Sequence, residues 1–231
     1  MSWSKNAVIL AGLAQVALGT PFNVSSTQDT PVPPRNNVAV THYNGKWGGG
    51  NCGFTTYKPT SGMPGAAITG KMWYNGGYCG ACVNVRERQG GRQVTAMIMD
   101  QSPGLPQDLN LFEEAYQYLA PRTQQSVQAD WDIVSCQNAE ALALDFMEGS
   151  SAWWLSTRVI NSNYPINAVW MRSAGNGQWN KLSNKDWNAF TWEKPLGETV
   201  DVRVECVNGQ AVMMENVRIA AKSIVMSGGN C

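Results

Sequence analysis

Two aspartates carry the first chemical suggestion in this chain. Asp100 and Asp108 flank the loop Gln101-Ser102-Pro103-Gly104-Leu105-Pro106-Gln107. Two carboxylates beside a groove are the raw material of glycoside hydrolysis, in which one acts as acid and the other as base or nucleophile. The ordinary alternative is that Asp100 caps a turn and Asp108 supports a helix N-terminus, where a negative charge is favoured by roughly 0.3–1 kcal/mol. Spacing along the chain does not set separation in space, so both readings stand. Glu113 and Glu114 read as a helix-capping partner and a solvated residue.

The second suggestion is Cys79-Gly80-Ala81-Cys82, which closes the stretch Met72-Trp73-Tyr74-Asn75-Gly76-Gly77-Tyr78. A zinc site would need a second cysteine pair or a histidine pair to complete a tetrahedron. The remaining cysteines, Cys52, Cys136, Cys206 and Cys231, stand singly, and His42 is the only histidine. One histidine supplies neither a two-histidine copper site nor a zinc-peptidase helix, and it leaves little room for a serine or cysteine triad. No metal and no cofactor is implied.

A redox Cys-x-x-Cys belongs with a cytosolic βαβ setting, and the start of the chain argues against that compartment. Lys5 precedes the apolar run Ala7 to Leu18, and Ala17-Leu18-Gly19 offers small residues for cleavage, so residues 1–19 read as a signal peptide. That run is too short to span a bilayer as a helix. Residues 20–37, with Pro31, Pro33 and Pro34, read as a flexible leader, and order is expected from Val38. Six cysteines in an exported chain are then best read as three structural disulfides.

Lysine plus arginine and aspartate plus glutamate balance at 17 each, with no basic cluster. Nucleic-acid binding rests on phosphate neutralisation by such clusters, so that partner class is excluded, and strong attraction to anionic lipid has no basis either. Ten tryptophans are the unusual feature. An excess of indole beyond what cores need points to flat stacking surfaces, here for carbohydrate. Trp153, Trp154 and Trp187 are the candidates. If Phe190 and Trp192 face a core, Trp187 faces out, and adjacent Trp153 and Trp154 on a strand would point to opposite faces.

The elements that must position these residues are mostly short strands. Val38 to Thr41, Ala81 to Arg86, Val94 to Met99 and Trp131 to Cys136 alternate or run apolar, with Gln89-Gly90-Gly91-Arg92 as a hairpin turn. One helix is expected, capped by Asn110 with Glu113 as its capping-box partner, burying Phe112, Ala115, Tyr116 and Leu119, and ended by Pro121. Many short strands with one helix suggest a closed barrel. Beyond the polar joint Gln137 to Glu140 the chain reads all-β. Strands are expected at Ala141 to Met147, Trp153 to Ile160, Ile166 to Arg172, Asn188 to Glu193, Thr199 to Cys206 and Ala211 to Ile219. Val200, Val202, Val204 and Cys206 share one face of a sandwich strand, while Thr199, Asp201, Arg203 and Glu205 share a wet one. Cys206 therefore points inward, and Cys231 is its expected partner.

With these residues in view, the chain resembles the expansins, most of all the microbial two-domain ones. In the first half the resemblance lies in Thr41-His42-Tyr43-Asn44-Gly45, Cys52-Gly53, Asn75 to Cys82, Asp100 and Asp108-Leu109-Asn110. In the second it lies in Glu148-Gly149-Ser150-Ser151-Ala152-Trp153-Trp154, Asn161 to Pro165 and Asp186-Trp187-Asn188-Ala189-Phe190. It implies an all-β chain, with a six-stranded double-psi β-barrel over residues 38–137 and an immunoglobulin-like β-sandwich over 138–231 that binds carbohydrate. It also implies the pairs Cys52–Cys79 and Cys82–Cys136, the latter contributing on the order of 4 kcal/mol by chain-entropy arguments. Thr41, Tyr43, Asp100, Ser102 and Asp108 would then line a groove, and Trp153, Trp154 and Trp187 would form an aromatic platform.

The expansins are similar to a group of inverting endoglucanases built on the same barrel, whose general acid matches Asp108. The second carboxylate has no counterpart, because the motif beginning at Thr41 contains no Asp or Glu, and an inverting mechanism needs both. The implied function is therefore non-hydrolytic loosening of plant-type walls by a secreted, monomeric protein that binds cellulose, related β-glucans or hemicellulose. Ser102 and Met147 depart from residues found in relatives, an aromatic and a lysine respectively. Two rivals remain: an endoglucanase whose base is Glu87 or Asp130, and an inert cellulose-binding lectin.

Overall fold

The computed structural model describes residues 34–55, 57–59, 62–102, 109–175 and 177–231. The signal peptide, nearly all of the leader and Asp108 lie outside the described residues.

Six strands close into a barrel. They are β1 (Arg35–Tyr43), β2 (Gly65–Thr69), β3 (Cys82–Glu87), β4 (Gln93–Ser102), β5 (Leu109–Phe112) and β6 (Ser126–Val134), in the order β1-β5-β2-β4-β3-β6. β1–β5 and β2–β4 run parallel and the other pairs antiparallel, the mixed arrangement expected of a double-psi barrel. Closure leaves no unpaired edge, and the hydrophobic cluster in and against the barrel wall includes Val83, Val85, Met97, Ile98 and Leu111, all at most 1% exposed.

The barrel departs from expectation at two places. Its first strand begins at Arg35 rather than Val38, because Arg35 pairs with Trp131 across a bulge in which Asn37 takes a φ of 55°. The helix expected from Asn110 is instead β5, followed by a single turn, α1 (Glu113–Tyr116). Asn110 makes no cap; it lies in register with Thr41 of β1 and with Ala67 of β2. Glu113 is no capping-box partner either, but pairs with Arg122 and faces His42 at 3.9 Å. Phe112, Ala115, Tyr116 and Leu119 are all buried, as expected, yet most of that apolar spacing belongs to a strand and a turn.

The second half forms two sheets. Its strands are β7 (Ala143–Phe146), β8 (Leu155–Ile160), β9 (Ile166–Ser173), β10 (Asn180–Lys181), β11 (Ser183–Lys185), β12 (Ala189–Trp192), β13 (Thr199–Cys206), β14 (Ala211–Arg218) and β15 (Ile224–Met226). One sheet has the order β10-β9-β13-β14 and the other β11-β12-β8-β7-β15. Val200, Val202 and Val204 are fully buried between them with Leu144, Phe146 and Phe190, each contributing roughly 1.5–3 kcal/mol of hydrophobic burial. Asp201 departs from the wet face assigned to it. It is 3% exposed and accepts hydrogen bonds from Arg172 Nε, Gly175 N and Asn216 N. A bulge between Val200 and Val202 places the Asn216 amide over it. Three disulfides join Cys52 to Cys79, Cys82 to Cys136 and Cys206 to Cys231.

Candidate functional site

The barrel side of the site is built around Asp100 on β4. The loop carrying Gly48-Gly49-Gly50 folds against it, and Gly50 sits at a φ of +84°. A Cβ there would lie 2.7 Å from both Asp100 Cγ and the Met99 carbonyl oxygen, so only glycine fits this approach. Asn51 N donates to Asp100 Oδ1 at 2.7 Å, Gln101 N donates to the same oxygen at 2.8 Å, and Tyr43 OH donates to Oδ2 at 3.4 Å. Both oxygens of Asp100 thus have donors, and the residue caps a loop. Burial, reinforced by the Asp100 carboxylate, pushes the Tyr43 phenol well above its ordinary range, so at neutral pH it is a donor and not a phenolate.

Thr41 lies on the same strand as Tyr43, two residues earlier. Its Oγ1 donates to Asn110 Oδ1 at 3.1 Å. Ser102 ends β4 opposite Thr69 and is half-exposed. The structure thus brings Tyr43 to Asp100 and Thr41 to Asn110. Asn51 and Asn110 were not singled out as site residues from the sequence. The triple glycine was the available signal for the first, and the parallel β1–β5 pairing that brings in the second has no local signature.

Neither carboxylate weighed as an unrecognised base lies near Asp100. Glu87 accepts hydrogen bonds from Gln89 N and Gly90 N in the β3–β4 turn, which hold its carboxyl below the ordinary range. That turn leads into Gln93, and Asp100 stands seven residues farther along β4 (93 to 100), roughly 23 Å at 3.3 Å per residue. Asp130 pairs with Arg88 at 2.8 Å and accepts from Asn37 N at 2.7 Å. Both are engaged at the other end of the barrel. His42 packs against Tyr116 with ring centroids 4.5 Å apart.

The sandwich contributes the indoles. Trp153 and Trp154 do not lie on β8, as expected, but in the turn before it, where Ser151 Oγ accepts from both backbone amides. The alternation argument therefore does not apply to them. Trp153 is 71% exposed and Trp154 half-buried, its ring lying beside Gly149. Trp187 occupies the β11–β12 turn and is 40% exposed. The β8–β12 register pairs Leu155 with Trp192 and Thr157 with Phe190, so Trp154 and Trp187 stand toward opposite ends of this strand pair.

The two halves meet along a seam of specific contacts. Asn188 Nδ2 donates to the Cys52 carbonyl at 3.0 Å, Trp73 Nε1 donates to the Asp186 carbonyl at 2.7 Å, and Tyr57 OH donates to Asn161 Oδ1 at 3.4 Å. Gly76 lets the barrel backbone approach, since a Cβ there would lie 3.0 Å from Asn188 Cα. Ala143 and Ile160 of the sandwich join the hydrophobic cluster of the barrel. The loop that holds Asp100 and the Trp187 turn are thereby joined by direct contacts. Among the described residues no group of three or more histidine, cysteine or acidic side chains is placed to hold a metal. No helix among them is long and apolar enough to cross a membrane.

No family model matches the chain. Expansin-like protein 3 of Dictyostelium discoideum is 26% identical over 221 residues, covering 90% of this chain and 64% of that protein. The chain therefore spans less than two thirds of that relative's length. Expansin-like protein 5 of the same organism is 25% identical over 203 residues, covering 84% of each chain. Among solved structures, the crystal structure of an expansin from Clavibacter michiganensis superposes with a TM-score of 0.73 at 25% identity, covering 84% of this chain and 96% of that one. An Asp-to-Asn variant of the Clavibacter protein, solved in complex with cellohexaose, gives the same TM-score at 26% identity. In sequence the chain is similar to these expansin-like proteins, and in fold to the Clavibacter expansin.

Proposed function

We propose that this chain is a secreted protein that binds cellulose and related β-glucans or hemicellulose and loosens plant-type cell walls without hydrolysing them. In this reading it acts as a monomer in the wall, without a cofactor. Residues 38–137 supply the working groove, with Thr41, Tyr43, Asp100, Ser102 and Asp108, and residues 138–231 supply the aromatic platform of Trp153, Trp154 and Trp187. The observation that carries the reading is the partner of Thr41. Where an inverting hydrolase needs a second carboxylate, Thr41 meets the Asn110 amide, which cannot take a proton from water. The likeness to a protein solved with cellohexaose supports β-glucan as the ligand class.

The physical action would be competitive. Asp100, Tyr43 and Thr41 offer an acceptor and hydroxyl groups that replace contacts a glucan chain makes with its neighbours. The indoles hold the protein on the polymer, because linked weak contacts raise effective concentration. The test is creep of a clamped, heat-inactivated wall strip beside a reducing-sugar assay. Creep without sugar release supports the proposal. Sugar release would make the protein a hydrolase, and cellulose binding without creep would make it an inert lectin.

A further inference from the structure

The turn that presents Trp153 and Trp154 is closed at its root by a thioether. β7 and β8 pair antiparallel, and residues 147–154 between them carry both indoles. Met147 N donates to the Ser156 carbonyl at 2.9 Å, and Ser150 N donates to the Met147 carbonyl at 3.2 Å. Ser150 Oγ donates to the Ser156 carbonyl at 2.9 Å and accepts from Ser156 N at 3.2 Å. Ser156 Oγ completes the ring by donating to Met147 Sδ at 3.1 Å. Among the described residues, that sulfur is the acceptor this hydroxyl meets.

Ser156 is fully buried and Ser150 is 6% exposed, whereas Met147 is half-buried. Met147 is thus the member of the ring that keeps contact with solvent. A thioether is a weak acceptor and is open to oxidation by two electrons. With hydrogen peroxide, a sulfur lone pair attacks one oxygen, the O–O bond breaks and an S–O bond forms. The departing hydroxide takes the proton of the transferred oxygen and leaves as water. The product is a polar, chiral sulfoxide. Its oxygen is a stronger acceptor than the sulfur was, so it has to face the Ser156 hydroxyl. A separation of 3.1 Å leaves no room for an added atom, and buried Ser156 cannot retreat. Met147 must move, and the chain that follows it moves too. That chain includes Gly149, where a Cβ would lie 3.5 Å from the Trp154 ring.

We propose that Met147 is a reversible oxidation site, at which a peroxide converts the thioether to a sulfoxide, displaces the Trp153–Trp154 turn and lowers the affinity for cellulose. The inference rests on the functional reading above, since cellulose affinity is what the modification controls. It gives the sandwich a chemical control that is separate from the barrel.

The test is partial oxidation of the purified protein with hydrogen peroxide, partition on insoluble cellulose, and peptide mapping of the bound and unbound fractions. Sulfoxide at Met147 should concentrate in the unbound fraction. Affinity of the fully oxidised protein should fall about tenfold, the loss expected when a buried polar group is left poorly met. Met213 and Met226 are 49% and 51% exposed and lie outside the turn, so their sulfoxides should divide evenly between the fractions. Met147→Leu keeps the volume without the sulfur, and peroxide should leave its affinity unchanged. Methionine sulfoxide reductases should return the wild type to its starting affinity. An even spread of Met147 sulfoxide between the fractions overturns the proposal. So does a Met147 that stays reduced while Met213 and Met226 oxidise. An equal loss in wild type and Met147→Leu places the effect at another residue and overturns it as well. If the untreated wild type does not bind cellulose, the functional reading fails instead. A peroxide-induced fall in thermal midpoint that Met147→Leu lacks then still reports the modification.

Discussion

Asn188 Nδ2 donates a 3.0 Å hydrogen bond to the carbonyl oxygen of Cys52, 136 residues away in sequence. The bond joins a loop of the barrel to a turn of the sandwich. Cys52 follows Asn51, whose amide holds Asp100, and Asn188 follows Trp187 in the β11–β12 turn. Asn188 is 6% exposed and takes a φ of 55°, a conformation that asparagine tolerates better than most residues.

Asn188→Gly keeps the backbone conformation and removes the amide. It leaves the Cys52 carbonyl unmet in the seam, so stability should fall by about 1–3 kcal/mol. Urea unfolding of the two proteins measures this. A difference within about 0.5 kcal/mol, the scale of ordinary surface substitutions, would mean that the seam does not depend on this bond.

Trp153→Ala should weaken binding to insoluble cellulose by about 1–3 kcal/mol, if sugar stacking resembles base stacking in size. Its thermal midpoint should barely move, because the ring is 71% exposed. Trp187→Ala should lose similar affinity with a larger stability cost, since its ring is 40% exposed and adjoins the seam. Depletion assays on cellulose and thermal melts separate the two effects. Full affinity in both variants would remove the platform from the functional reading.

Asp100→Asn should abolish wall creep while leaving cellulose binding in place, because an amide does not replace a carboxylate that accepts charge-assisted bonds. The same change has a spectroscopic consequence. Burial is the first cause of the rise in the Tyr43 pKa, and the Asp100 charge and its hydrogen bond add to it. In Asp100→Asn the Tyr43 titration should therefore move down but stay above the ordinary phenol value, as read from phenolate absorbance. Creep retained in the variant would reduce the groove to scaffold.

Asp201 supplies a pH test of the sandwich. Its carboxyl is held below the ordinary carboxylate range, first by the Asn216 amide and then by Gly175 and Arg172. A depressed folded pKa contributes stability that is complete above the unfolded value, about 3.9, and is lost as pH falls through the folded value. The wild type should therefore exceed Asp201→Asn in thermal midpoint at pH 7, and the gap should narrow steadily as pH drops from about 4 toward 2. A gap independent of pH would mean that shape, not charge, holds Asn216 and Arg172 in place.

The sequence by itself determined the class of the fold and the strands with the clearest patterns. Thr199 to Cys206 is β13 residue for residue, because alternation over eight positions leaves only one register that buries the valines. The expansin resemblance was also legible, since its motifs are local strings. The tertiary structure decided what local patterns leave degenerate. Leu109–Phe112 became a strand rather than the start of a helix, because parallel partners from β1 outweigh a weak local preference. Trp153 and Trp154 fell in a turn before β8, and Asp201 was buried by a bulge on a strand whose pattern marked it wet. The meeting of Asn188 with Cys52, and of Trp73 with Asp186, had no signal in the chain at all. Such contacts join residues more than a hundred positions apart, and only the packing of one folded half against the other brings them within reach.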